Sequence, residues 1–182
     1  MTGRLQDKVA IITGAGQSEA GGAEKNMGNG RASGLTFAGV GAKLMLANRS
    51  SPSMDETARL VRAGGFAVES MLADITDEDD CRKLMAATID AFGRIDVMHN
   101  NVGAGTVEDD TADIDLATWQ QCLDMNLNGP ILLSKHALPR MWRLGAAWDA
   151  ANGALFLASK AAAYITGAVI PEDDGLTTRV GS

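Results

Sequence analysis

Residues 8–13 form an apolar run, Lys-Val-Ala-Ile-Ile-Thr, that ends on Gly14-Ala15-Gly16 and is followed by Gly28-Asn29-Gly30-Arg31-Ala32. A short run rich in Val, Ile and Ala, bounded by glycines, predicts a strand buried on both faces. Glycines let the chain turn sharply and approach a phosphate closely. The helix that follows offers that anion its unpaired N–H groups and the positive end of its dipole. Strand, glycine turn and helix in this order predict a dinucleotide site. Residues 17–27 separate the early from the late glycines, where such a loop is usually compact, so a flexible Gly/Ser/Ala loop beside a strand is the competing reading.

A chain of 182 residues predicts one domain with a proper core, and 46% hydrophobic with 21% charged residues is the composition of a soluble globular protein. The net charge of −7 argues against a broad nucleic-acid surface and leaves room for a local basic pocket for phosphate. Cys81 and Cys122 fall on apolar-periodic positions of expected helices, so both read as core residues in a reducing compartment, not as a disulfide or metal pair. The N-terminus is polar without an apolar signal core, and no run is long enough to cross a bilayer. The expected location is cytoplasmic, with no membrane, nucleic-acid or metal partner.

Helices and strands alternate along the chain. Residues 31–40 predict a helix with Ala32, Leu35 and Ala38 inward, closed by Gly39 and Gly41. Residues 42–47 predict a second strand, ending in Asn48-Arg49. Ser51-Pro52 reads as an N-cap followed by proline at the first helical position, with Gly64-Gly65 closing that helix. Residues 66–73 predict a third strand, running into Asp74-Ile75. An acid-led helix over 77–92 follows, with Leu84, Met85, Thr88, Ile89 and Phe92 inward. Residues 95–99 predict a fourth strand, running into Asn100-Asn101-Val102-Gly103. An acidic loop over 105–115 precedes a long helix over 116–144 with apolar Trp119, Leu123, Leu127, Ile131 and Leu138, bent or broken by Pro130 and Pro139. A shorter helix over 147–159, a last strand over 164–170, a turn over 171–175 and a frayed tail over 177–182 complete the expectation. Parallel βαβ units place ligands beyond the carboxyl ends of the strands, so the residues just after each strand are the ones to inspect.

The combination of Thr13-Gly14-Ala15-Gly16 and Gly28-Asn29-Gly30, Asp74 after the third strand, Asn100 to Gly103 after the fourth, and Asn126 within Met-Asn-Leu-Asn-Gly129 resembles the short-chain dehydrogenase/reductase family. The likeness runs over residues 5–141, and residues 147–176 also resemble that family's C-terminal end. It implies an α/β fold, a Rossmann-type three-layer doubly wound parallel sheet, here reduced in its C-terminal half. It also implies that Gly14, Gly16, Gly28, Asn29 and Gly30 hold a pyrophosphate, that Asp74 and Ile75 contact adenine, and that Asn100, Asn101, Val102 and Gly103 lie along the adenosine ribose side. The position after the second strand selects the cofactor: a carboxylate there accepts from the ribose 2′-hydroxyl and repels a 2′-phosphate. Neutral Asn48, with Arg49 able to bind phosphate, favours NADP over NAD, while a solvated surface arginine is the competing reading of Arg49.

The chain departs from the family where the chemistry sits. Relatives use a serine on the fifth strand and a Tyr-x-x-x-Lys on the next helix. The sole tyrosine, Tyr164, has Ala168 four residues on, and Ser134, Ser159 and Ser182 follow no recognisable fifth strand. Lys160 and Tyr164 give only the reversed spacing, and Tyr164 starts an expected strand. Ser134-Lys135-His136 are helical neighbours that point in different directions. His99 ends a strand without an apparent metal partner. Asn126 alone matches the family's catalytic set, where it supports a proton relay at a kink of the long helix.

These observations predict one dinucleotide-binding domain over residues 1–182 with an internal deletion near 141–147. The last strand would then move in beside residues 95–99, with 147–159 as crossover. The expected function is that of a short-chain dehydrogenase/reductase homologue. Its lineage chemistry is NAD(P)(H)-dependent hydride transfer with a small carbonyl or alcohol, and its own turnover is little or none. A non-catalytic dinucleotide-binding or interaction protein, as a homo-oligomer or paired with a full-length relative, is the alternative, and a gene remnant the third.

Overall fold

The computed structural model describes residues 3–16, 27–103 and 113–141, all within the unit Met1–Met141. The expected features at 104–112 and 142–182, among them the last helix, the last strand with Tyr164, and the repositioning of that strand, lie outside the described residues.

Four parallel strands make the described sheet: β1 (Val9–Thr13), β2 (Lys43–Asn48), β3 (Val68–Leu72) and β4 (Val97–His99), in the order β3-β2-β1-β4. Each pairing is parallel, with Ile12 opposite Leu46 on one side and His99 on the other. The chain therefore winds outward through β2 and β3, then returns to the far side of β1. Strand order reverses between β1 and β4, which opens a crevice at their carboxyl ends.

All five residues of β1 are buried, as an apolar run flanked on both faces requires. Side chains alternate between two cores. Ala10, Ile12, Leu44 and Leu46 pack with Ala38, Met54, Ala58 and Val61 on one face, whereas Ile11, Met45 and Ala47 pack with Leu84, Met85 and Leu133 on the other. Helices α1 (Asn29–Gly39) and α2 (Ser51–Ala63) cover the first face; α3 (Glu78–Phe92) and α5 (Gly129–Met141) cover the second.

Several local expectations shift. Helix α1 starts at Asn29, and its buried positions are Gly30, Gly34 and Ala38, while Ala32 and Leu35 are half-buried. Small residues face inward because the helix lies close to the sheet. The cap of α2 is Ser50, so Pro52 occupies the second helical position. In α3 the cap is Asp77, whose carboxylate accepts from the Asp79 and Asp80 amides, and Gly93 closes the helix at φ +79°. Cys81 joins the core, donating to the Ile75 carbonyl at 3.3 Å, while Cys122 is only half-buried, a correction to its expected core position.

The long helix differs most. It runs as α4 (Leu116–Leu123), a π-helical turn (Asp124–Asn128) and α5. Pro130 has no N–H with which to bond the Asn126 carbonyl, and the ladder slips there: the Gly129 amide reaches back five residues to the Asp124 carbonyl. Pro139 does not break the helix, since α5 continues to Met141. Most of the expected apolar face is turned to solvent, with Leu123 half-buried. Trp119, Leu127, Ile131 and Leu138 are exposed, and Gly129, Leu133 and Ala137 make the buried face. Glycine at 129 lets the helix touch the loop after β3, because a Cβ there would stand 2.7 Å from Ile75 Cδ1 and 3.2 Å from the Ile75 carbonyl oxygen.

Candidate functional site

The crevice at the switch point is a cleft of about 440 Å³, within the rough range of 300–1,000 Å³ of small-molecule sites. It is built from the ends of the strands. Gly14 and Gly16 follow β1, Asn48 ends β2 and Arg49 follows it, Asp74 and Ile75 follow β3, and Asn101, Val102 and Gly103 follow β4. Gly28, Asn29 and Gly30 bring the start of α1 to the same cleft. Asn100 is not among the lining residues. Ala47, Ala73 and Met125 line the cleft as well, though the sequence reading did not single them out. Ala47 is the penultimate residue of β2, and Ala73 directly follows β3. Met125 sits in the π-helical turn, whose position depends on packing that no local pattern shows.

Glycine is required at two places. Gly14 takes φ +62°, and a Cβ on Gly30 would lie 2.0 Å from the Gly14 carbonyl oxygen. The start of α1 therefore rests directly on the turn after β1, which aims the helix's first amides into the cleft. Gly28 caps the helix in an extended conformation, without a side-chain cap, and the first turn carries no acid.

The loop after β4 is stapled to that turn. Thr13, fully buried, donates through Oγ1 to the His99 carbonyl at 3.4 Å and accepts from the Asn101 amide at 3.3 Å. Asn101 Nδ2 donates to the Gly14 carbonyl at 3.1 Å. On the other side, a Cβ on Gly16 would meet Ser53 Oγ at 2.8 Å and Asn48 Nδ2 at 2.9 Å, so α2's first turn abuts the glycine turn.

Among the described residues one acid, Asp74, lines the cleft. Burial pushes the Asp74 carboxyl up, but the amide and hydroxyl of Thr76 and the Arg49 guanidinium together hold it below the usual carboxylate range. Thr76 occupies Asp74 Oδ1, and Arg49 Nη1 stands 3.9 Å from Oδ2. The Arg49 side chain is more than half exposed. It can turn toward an anion in the cleft without breaking a short contact.

Among the described residues, the catalytic candidates do not converge. Asn126 is exposed and donates through Nδ2 to the Cys122 carbonyl at 2.9 Å, while a Cβ on Gly103 would lie 3.3 Å from its Oδ1. Ser134 donates to the Pro130 carbonyl, and Lys135 and His136 both meet Glu78 Oε1 at 2.6 and 3.0 Å. They tie α5 to the start of α3 and form no nucleophile–base pair. His99 packs against Phe37, ring centroids 5.7 Å apart, and its buried Nε2 has no hydrogen-bond partner among the described residues.

Comparison with known proteins agrees with this geometry. The family model described as Enoyl-(Acyl carrier protein) reductase matches residues 22–147. The short chain dehydrogenase/reductase astE of Aspergillus oryzae is 32% identical over 142 residues, 78% of this chain and 51% of its own length. A solved Burkholderia xenovorans protein described as a short-chain dehydrogenase/reductase superposes with a TM-score of 0.69 at 40% identity, covering 76% of this chain and 51% of that one. A metagenomic short-chain oxidoreductase in complex with NADP gives a TM-score of 0.66 at 28% identity, covering 75% of this chain and 57% of that one. The chain spans about half the length of the curated relatives it matches. Strand order, the glycine turn at the switch point and these matches agree: the chain belongs to the short-chain dehydrogenase/reductase family.

Proposed function

We propose that the cleft holds a nicotinamide dinucleotide, NADP(H) in preference to NAD(H), and that this chain by itself turns over little or no carbonyl or alcohol substrate. The observation that carries the reading is the Cβ-free contact of Gly30 on the Gly14 carbonyl, which turns the start of α1 onto the cleft at the switch point. A bound nicotinamide would supply hydride transfer. The chain's own residues bind and orient it: Gly14, Gly16, Gly28, Asn29 and Gly30 at the pyrophosphate, Asp74 and Ile75 at the adenine, and Asn101, Val102 and Gly103 beyond them. Preference for NADP rests on Asn48, which carries no charge to repel a 2′-phosphate, and on Arg49, whose side chain is exposed beside it.

Low turnover rests on the lone Tyr164, followed by Ala168 where relatives carry lysine, and on Asn126, which bonds its own helix. In the same reading, residues 1–182 are one dinucleotide-binding domain with an internal deletion near 141–147. The exposed row of Leu127, Ile131 and Leu138 favours a second reading beside this one, association with another copy or with a full-length relative.

Titrating NADPH and NADH into the full chain, with a panel of small carbonyls added afterwards, tests both clauses. Expected are binding of NADPH about tenfold tighter than NADH, a gap that Arg49→Ser closes, and no loss of absorbance at the nicotinamide band. Turnover that disappears with Tyr164→Phe would overturn the clause on activity, and binding of neither dinucleotide would overturn the site.

A further inference from the structure

Arg31 stands third in α1, directly after Asn29 and Gly30, which line the cleft. Its guanidinium does not line the cleft but reaches across to α2. Nε donates to Thr57 Oγ1 at 3.1 Å and Nη2 donates to the Ser53 carbonyl at 3.1 Å. Thr57, fully buried, donates in turn to the same Ser53 carbonyl at 3.2 Å, which closes a ring of three hydrogen bonds. Ser53 lies in the first turn of α2, and its side chain abuts Gly16 and the neighbourhood of Asn48.

The ring thus joins two helix starts that serve opposite ends of one ligand. The start of α1 faces the pyrophosphate position, and the start of α2, with Asn48 and Arg49 just before it, faces the adenosine ribose. On the reading of the cleft as a dinucleotide site, we infer that Arg31 is a positioning residue: its planar fork sets the spacing between these two helix starts. Two directed hydrogen bonds from one rigid group fix distance and angle together, which a single flexible donor does not. A ligand that spans both helix starts feels an error in their spacing, because its two anchored ends cannot both be satisfied.

The test is the affinity of the full chain for NADPH and for NADH, measured well below the melting temperature, in the wild type and in Arg31→Met, Arg31→Lys and Thr57→Val. Both dinucleotides span the two helix starts, so both are expected to lose about tenfold in Arg31→Met. Arg31→Lys is expected to behave like Arg31→Met, since an ammonium keeps the charge but not the fork. Thr57→Val, which leaves the Ser53 contact in place, shifts both affinities in the same direction by less, and decides the matter if the Arg31 variants do not fold. A lower melting temperature with unchanged affinity would reduce the ring to a structural brace and overturn the inference. A loss confined to NADPH would make Arg31 a direct phosphate ligand instead, and recovery by lysine would show that charge alone matters; either overturns it. A wild type that binds neither dinucleotide removes the site reading and the inference with it, whereas normal wild-type binding with unaffected variants removes the inference alone.

Discussion

Gly30 and His99 are the residues whose surroundings make the firmest demands. Alanine at 30 would drive its methyl into the Gly14 carbonyl, a backbone atom that cannot swing away. Gly30→Ala is therefore expected to cost about 1–3 kcal/mol in chemical denaturation and to abolish dinucleotide binding, while Gly39→Ala, where a Cβ meets nothing within 4 Å, leaves binding intact. His99 carries a proton less readily in the folded protein than in the unfolded chain, because burial pushes its imidazole below 6.5. The unfolded state then binds more protons between the lowered folded value and 6.5, so stability is full above that range and is lost as pH falls through it. Replacing His99 by leucine should flatten the stability profile over this window; an unchanged slope would mean that another group sets it. The glycines were legible in the sequence as a turn. The Thr13–Asn101 staple and the Arg31–Thr57 contact were not, because each joins residues far apart in the chain whose meeting depends on strand order.

Among the elements, α3 was the most legible and the long helix the least. Acids crowd the start of α3, Gly93 follows its end, and its apolar residues share one face. Removing the cap by Asp77→Ala leaves the Asp79 and Asp80 amides without their acceptor and should cost about 1 kcal/mol, read as a lower denaturation midpoint at unchanged slope. In the helical stretch from Leu116 to Met141, hydrophobic spacing marked a face that is apolar but not the face that is covered. Close packing on the sheet selects Gly129 and Ala137 around Leu133, and the larger Leu127, Ile131 and Leu138 stay outside. If that outer row joins two chains, Ile131→Lys should shift the full chain to a smaller species in sizing and scattering measurements. An unchanged size would show that the row does not join chains.

At the scale of the molecule, alternation of apolar runs with helical patterns was enough to read a parallel sheet wound on both faces, although only β1 and β2 are buried along most of their length and β3 is largely exposed. Family likeness and general topology implied a doubly wound sheet with its ligand beyond the strands' carboxyl ends, but the order β3-β2-β1-β4 that places the switch point between β1 and β4 comes from the structure. The central claim is that this cleft is a dinucleotide cradle whether or not chemistry follows. Its most direct test is the stability of the full chain with and without NADPH. At a hundredfold excess over its dissociation constant, NADPH should add about 2.7 kcal/mol and raise the melting temperature accordingly. A melting temperature that neither NADPH nor NADH moves at saturating concentration would contradict the account.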